Sequence, residues 1–291
     1  MIFFLGHLAW FAAVVAAFRA LERRWPAGTC SRVRDQAFNF GLVITAALVS
    51  ICIAQIAPPL STLLAQAGLI DLFGSVQAPG TALEWVLGSL LYAFIWDFFQ
   101  YWFHRLQHTL PSLLFVHALH HDTDALNSSD ALRNTVWHAA LGTLLIAVPI
   151  LLLGIGSLLH VYGAFLLFST YGMYNHANIR WSHGPLTRVL SGPQLHRPHH
   201  GLVSEYHNTN YAAFFPVLDI LFGTYRPPER GEYPSTGLAD RPASRGRILS
   251  LARASLGLRG PGPGPVAEMK RRRRRARSAG RPERRPTAAS R

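Results

Sequence analysis

The sequence predicts an all-α integral membrane protein. About four to five transmembrane helices, two of them forming a helical hairpin, would support a cytoplasmic helical cap that carries a histidine-rich metal site. Three observations predict this. Long apolar runs recur at 2–18, 38–57, 83–103 and 137–174. No lysine or arginine falls inside any of them. Histidines gather in groups just beyond the last two runs.

The runs justify themselves in order. Residues 2–18, IFFLGHLAWFAAVVAAF, carry no charge before Arg19. A secretory leader places basic residues before its apolar run and a small-residue cleavage site after it; here the arginines follow, so the run reads as a retained helix. The second run is closed by Pro58-Pro59, and the third reads LEWVLGSLLYAFIWDFFQYWF. Each comes close to the ~20 apolar residues that cross a bilayer core. The stretch 137–174 is nearly twice that length and is broken at Pro149 and at Gly154-Ile155-Gly156, which suits a hairpin. Residues 60–73 are apolar but short, and are expected to lie in the interface or to pack on the other helices. Basic residues alternate with the runs: Arg19 to Arg34, then Arg105, then Arg180, Arg188 and Arg197. With the N-terminus outside, all of them face the cytoplasm, as the bias of Lys and Arg toward that side requires. The histidine groups fall on the same side, so the expected location is a multi-pass cell-membrane protein with its histidine site on the cytoplasmic face.

Composition narrows the function classes. Charged residues make up 15% of the chain, below the ~25% of a soluble domain. The net charge of +13 is concentrated in the final stretch, in Lys270 to Arg275 and the arginines after it. The remainder is only modestly basic, which argues against a nucleic-acid partner. Cys30 lies in a basic loop and Cys52 in an apolar run, so neither a disulfide nor a cysteine metal motif is expected. Residues 227–291 are rich in Pro, Gly and Arg, with PGPGP at 261–265. They read as a disordered tail that anionic headgroups could attract. The chain divides into N-terminal membrane helices (1–84), a histidine-bearing domain (85–226) and this tail (227–291).

Histidine carries the chemistry. His104 and His108 are four apart, one helical turn on one face. Asp97 and Tyr101 continue that stripe, so the third run is expected to extend as helix until Thr109-Leu110-Pro111 breaks it. His117, His120 and His121 stand at i, i+3 and i+4, and His196, His199 and His200 repeat the spacing. Pro198 lies inside the last triad and removes one backbone donor. Imidazole is a ligand for iron, zinc, copper and nickel, and these clustered imidazoles exceed one coordination shell, so two metals are expected. Asp97 is expected to hydrogen-bond a ligand histidine and orient it, the alternative being an ion pair with Arg105. His176 is a candidate further ligand. His7, His138, His160 and His183 are read as structural, and His207 stays open. The aromatic residues from Tyr92 to Phe103 suit either a substrate channel or an interfacial belt.

The motifs DFFQYWFHRLQH (97–108), FVHALHHD (115–122), NHANIR (175–180), PQLHRPHH (193–200) and NYAAFFPVLDILFGTYR (210–226) resemble the fatty acid hydroxylase / sterol desaturase superfamily. The resemblance covers roughly residues 85–226. It implies a membrane-bound, non-haem di-iron oxygenase that hydroxylates or desaturates a lipid such as a sterol, hopanoid or fatty acyl chain. It implies iron ligands at His104, His108, His117, His120, His121, His196, His199 and His200, with His176 of the NHAN motif added. It also implies electrons from an external donor, cytochrome-b5-like or ferredoxin-type. The chain departs from the family pattern at Thr135 to His138, at Asn208-Thr209 and at Pro198. The rival readings are a metal transporter or sensor, a bis-histidine haem carrier, and a family member that binds metal without oxygenase activity.

Overall fold

The structure, a computed structural model, describes residues 2–45, 81–147, 149–150 and 158–238. Among them every regular element is helical, and β-pairing is confined to isolated bridges at Pro26–Ile179 and Gly201–Thr236. Helix α1 (Ile2–Arg24) ends on Arg23 and Arg24, cations that suit the negative end of the helix dipole. Helix α2 is described over 33–45 and is tied to α1 by a hydrogen bond from Arg19 to Gln36.

Helix α3 (Ala82–Thr109) is the spine. A reciprocal capping box starts it: the Thr81 hydroxyl accepts from the Glu84 amide and the Glu84 carboxylate accepts from the Thr81 amide. It stops before Pro111, which disfavours helical backbone at Leu110 and opens α4 (Pro111–His121) at its N1 position. A 3-10 turn follows (Ser128–Leu132), capped by Asn127. Next come α5 (Val136–Gly142), capped by Thr135, and a π-helical turn (Thr143–Ala147). The remaining helices are α6 (Leu158–His176), α7 (Pro193–His199) and α8 (Val217–Leu221).

The core lies between α3 and α6. Tyr92, Ala93, Phe103, Ile146, Ile150, Phe168 and Phe214 are buried together. A second cluster, Tyr101, Tyr211, Ala212 and Leu218, seats α8 on the far half of α3. The aromatic stretch of α3 is therefore partly core: Tyr92, Tyr101 and Phe103 are buried, while Phe94 and Trp102 reach the surface.

The expectation of four to five transmembrane helices is corrected here. Among the described residues no helix is long and apolar enough to cross a membrane. Polar residues shorten the runs: only residues 8–18 separate His7 from Arg19 in α1, and only 85–96 separate Glu84 from Asp97 in α3, against the ~20 apolar residues of a crossing. Beyond Asp97 most apolar side chains of α3 pack on protein, with Tyr101 and Phe103 buried and Trp102 left at the surface. The described part of the first arm of the expected hairpin begins as a short α-helix followed by the π-turn, and the break expected at Gly154-Ile155-Gly156 lies outside the described residues. The apolar stretches at 46–57 and 60–73, and residues 239–291 of the tail, lie outside the described residues. Within the stretch read as tail, residues 227–238 pack across α7. The Leu202 amide donates to Ser235 O, the Gly237 amide to His200 O and Arg197 Nε to Pro234 O.

Loops around this helical frame are fastened by buried carboxylates. Glu22, 4% exposed, accepts from the amides of Ser128 at 2.7 Å and Asn178 at 3.1 Å through one oxygen. Asp130 accepts from the Asn127 amide, Asn127 Nδ2, Asn39 Nδ2 and the Thr123 hydroxyl. Removing the Glu22 acceptor strands two buried amides at ~1–3 kcal/mol each. Glu22→Ala is therefore expected to destabilise the protein by about 2–5 kcal/mol, whereas Glu22→Gln, which keeps an acceptor oxygen, loses much less. Denaturant unfolding followed by circular dichroism measures the difference, and equal losses for the two variants contradict the assignment.

Candidate metal centre

The structure brings all nine candidate histidines into one buried cluster with two halves. His104, His108, His117, His121 and His199 form one group, and His120, His176, His196 and His200 form the other; in each group the candidate ligand atoms lie within 4.8 Å of one another. Helical geometry explains the partition. Relative to position i, position i+4 is rotated by about +40° and i+3 by about −60°, so a triad straddles its helix face. In α4, His117 and His121 serve the first group and His120 the second. At the end of α7 the roles reverse: His196 and His200 serve the second group and His199 the first. Helices α3 and α6 complete the two groups with His104 and His108, and with His176.

The nitrogens converge. Nε2 of His104 is 2.9 Å from Nε2 of His117. Nε2 of His176 is 3.0 Å from that of His120 and 3.2 Å from that of His196, and Nε2 of His196 is 3.2 Å from that of His200. Nitrogens held about 2.0–2.1 Å from one metal at right angles would be roughly 3.0 Å apart. Three rings are fixed from behind. His104 Nδ1 lies 2.8 Å from the Tyr211 carbonyl, His199 Nδ1 2.8 Å from the Thr209 carbonyl and His176 Nδ1 2.7 Å from the Gly172 carbonyl. A carbonyl accepts only, so each Nδ1 carries the proton and each Nε2 is left with a lone pair.

The set fits a metal and not a self-contained polar network. Seven of its nitrogens, Nε2 of His108, His121 and His199 and Nδ1 of His117, His120, His196 and His200, are buried without a protein partner. Burial holds His104 and His176 down at about 4 and the other seven well below the usual imidazole range, so all nine are neutral and available as ligands. The cluster could hold two cations, and no carboxylate belongs to either group.

Asp97 takes a place the sequence reading did not foresee. It is fully buried, and its oxygens accept from the backbone amides of Ala213 at 2.9 Å, Phe214 at 3.0 Å and Phe215 at 2.6 Å. It fastens a loop; the expected bond to a ligand histidine is not what it makes. Arg105 does not pair with it either, donating instead to Tyr101 Oη and the Phe222 carbonyl. Burial raises the Asp97 carboxyl to about 7, against the opposing pull of the three amides.

Other residues were missed or read as structural. Asp219 accepts from the amides of Tyr211 at 2.7 Å and Ala212 at 2.9 Å; its only sequence signal is its place in the PVLDILFGTYR motif. Asn208 and Asn210 adopt φ of 62° and 54°, conformations asparagine tolerates better than most residues. His138 stands beside the centre, its ring 6.0 Å from that of His117 and its Nδ1 3.0 Å from Gln107 Nε2. His183 accepts from the Tyr174 hydroxyl, away from the cluster. Pro198 sits in the last turn of α7, where the chain leaves the helix at once and no kink can propagate.

The fatty acid hydroxylase family model matches residues 89–224. The ornithine lipid hydroxylase OlsE of Rhizobium tropici is 30% identical over 269 residues, spanning 85% of this chain and 76% of the relative. This chain belongs to the fatty acid hydroxylase / sterol desaturase superfamily. Alkylglycerol monooxygenases of Danio rerio and Homo sapiens are 34% and 33% identical, over 45% and 44% of this chain. The chain spans only 29% and 28% of those two relatives. No solved structure gives a significant match.

The depressed histidine pKa values set a pH dependence. Between pH 6.5 and about 4 the unfolded chain binds protons that the folded centre refuses, so stability falls as pH falls. His104 and His176, each held at about 4, cost roughly 2 kcal/mol apiece by pH 5. Acidification from pH 7 to 5 is expected to lower the melting temperature and release bound metal together. Metal retention after gel filtration across that range, measured alongside thermal unfolding, checks it; full retention at pH 5 counts against the centre.

Proposed function

We propose that the chain is an iron-dependent lipid oxygenase that hydroxylates or desaturates an acyl or alkyl chain. The observation that carries this reading is the pair of buried, wholly imidazole groups. Two irons fit it, one with His104, His108, His117, His121 and His199, the other with His120, His176, His196 and His200. Bound in reduced form, iron supplies the activation of dioxygen, which no side chain can provide. The chain's own residues do the rest. They keep nine lone pairs neutral by burial, fix three rings through backbone carbonyls, and exclude water from the cluster.

For hydroxylation, a C–H bond, dioxygen, two electrons and two protons become C–OH and water. Desaturation removes two hydrogens from adjacent carbons, and dioxygen leaves as two waters with the same two electrons and two protons. The electrons come from a separate donor, cytochrome-b5-like or ferredoxin-type.

A lipid substrate is supported by the surface of α3. Leu83, Val86, Leu87, Leu90, Leu91 and Phe94 are exposed and recur at helical spacing. The same face continues into Asp97, Tyr101, His104 and His108. Only the part from Leu83 to Phe94 is open to an alkyl chain; beyond it, segment 213–215 and α8 cover the face that leads to the five-histidine group. The stripe runs roughly 17 Å, about half the ~30 Å hydrocarbon core, which suits immersion in one leaflet. The exposed stripe supports a membrane setting for the chain. The relative matched along most of the chain is named for ornithine lipid, so an aminoacyl lipid of that class is the first substrate to try.

Expression in a host that makes ornithine lipids is expected to add about 16 mass units, one oxygen, to a lipid, or to remove about 2 by desaturation. His120→Ala and His199→Ala, one from each group, are each expected to abolish the product and lower iron content. Lipid mass spectrometry with metal analysis reads both, and a variant with undiminished product and full iron would sink the assignment.

A further inference from the structure

Segment 209–215 has no regular secondary structure, yet it lies against the centre and its amides are fully engaged from Asn210 onward. Asp219 takes the amides of Tyr211 and Ala212, and Asp97 takes those of Ala213, Phe214 and Phe215. The Asn210 amide donates to the Thr224 carbonyl, and the Thr224 hydroxyl returns to Asp219 at 2.7 Å. Two buried carboxylates on different helices thus hold the whole segment. What the segment presents to the rings themselves is specific: the Thr209 carbonyl behind His199 and the Tyr211 carbonyl behind His104. Toward the other group it reaches only neighbours of the ligands, the Ala213 carbonyl accepting from Asn175 Nδ2 and Asn210 Nδ2 donating to the Leu195 carbonyl. Both histidines belong to the five-histidine group. The four-histidine group takes its carbonyl anchor elsewhere, from Gly172 inside α6, and the Nδ1 atoms of its other members have no protein partner.

We propose that Asp97 and Asp219 are positioning residues chiefly for one metal: through segment 209–215 they orient His104 and His199 directly, and so set the affinity and electronic environment of the five-histidine group, while the four-histidine group, which takes no ring contact from the segment, keeps its metal. The inference rests on the two-iron reading above. Its physical basis is that a carbonyl behind a ligand imidazole fixes the tautomer and the ring plane, and that losing such support weakens metal binding roughly 10–100-fold. Asparagine at position 219 would keep one oxygen but turn an NH2 group toward an amide donor, loosening the segment where the Tyr211 carbonyl is set.

The test loads the full-length protein anaerobically with isotopically enriched ferrous iron, then counts iron per chain and records Mössbauer spectra. Wild type is expected to hold two irons; failure to do so overturns the two-iron reading itself. Asp219→Asn and Asp97→Asn are expected to fall to about one iron per chain at limiting metal, the survivor showing the spectrum of a single uncoupled ion. Asp130→Asn, a buried carboxylate that holds the Asn127 turn and makes no bond to segment 209–215, is the control and is expected to keep both. Retention of two irons with a wild-type spectrum overturns the proposal, as does simultaneous loss of both irons or the same selective loss in the control. Should Asp219→Asn not accumulate as folded protein, Thr224→Val removes one bond to Asp219. A smaller selective loss is then expected, and its absence counts against the proposal.

Discussion

Nine imidazoles share one space, eight of them buried and His108 half-buried, and that constraint organises the rest of the structure. A charged imidazole there would be repelled by its neighbours and starved of solvent, so every ring is neutral. A neutral ring still has one lone pair and one N–H to satisfy. Protein carbonyls answer only some of the N–H groups, and the lone pairs face one another. An arrangement of this kind is costly as a fold and useful as a ligand set, since the groups left unsatisfied by the protein are those a metal engages. The cost is met by the surroundings: three helices and the end of a fourth carry the histidines, and buried carboxylates tie the described loops beside them.

That rigidity comes from carboxylates used in an unusual way. Buried backbone amides need acceptors, and the loops that line the centre belong to no helix and no sheet. Glu22, Asp97, Asp130 and Asp219 supply the acceptors in place of secondary structure. Each gathers two or more donors that would otherwise be unpaired, and each joins parts of the chain separated by a helix or a turn. The acidic residues are scarce in this sequence, and the structure spends several of them on holding loops in place around a centre that itself contains none.

The helical character of the chain, the stop of α3 before Pro111, and the set of histidines that meet were legible from local spacing and from family motifs. The transmembrane reading was not sound for the described residues, because apolar content does not say what covers it. In α3 the same kind of apolar residue faces outward at Leu83, Leu87, Leu91, Phe94 and Trp102 and packs into the core at Tyr92, Ala93, Tyr101 and Phe103. Asp97 was noticed and given the wrong contact, because its partners are amides more than a hundred residues away. Asp219, Thr209 and Tyr211 lay in or beside quoted motifs but were given no role, since two of them act through backbone atoms that any residue type would supply.

Sequence alone determined the chemistry available: imidazole in excess, placed by helical periodicity on faces that could meet, with only two cysteines, both outside the histidine motifs, and few acids to compete. Tertiary structure decided how that chemistry is divided. Spacing of i, i+3 and i+4 puts three histidines near one face but leaves them spread over about 100° of it. Which side of the face meets which partner depends on where the other helices stand. Helix packing assigns His120 away from His117 and His121, and His199 away from His196 and His200. Long-range hydrogen bonds, not local propensity, then choose which group the loop after the last triad supports.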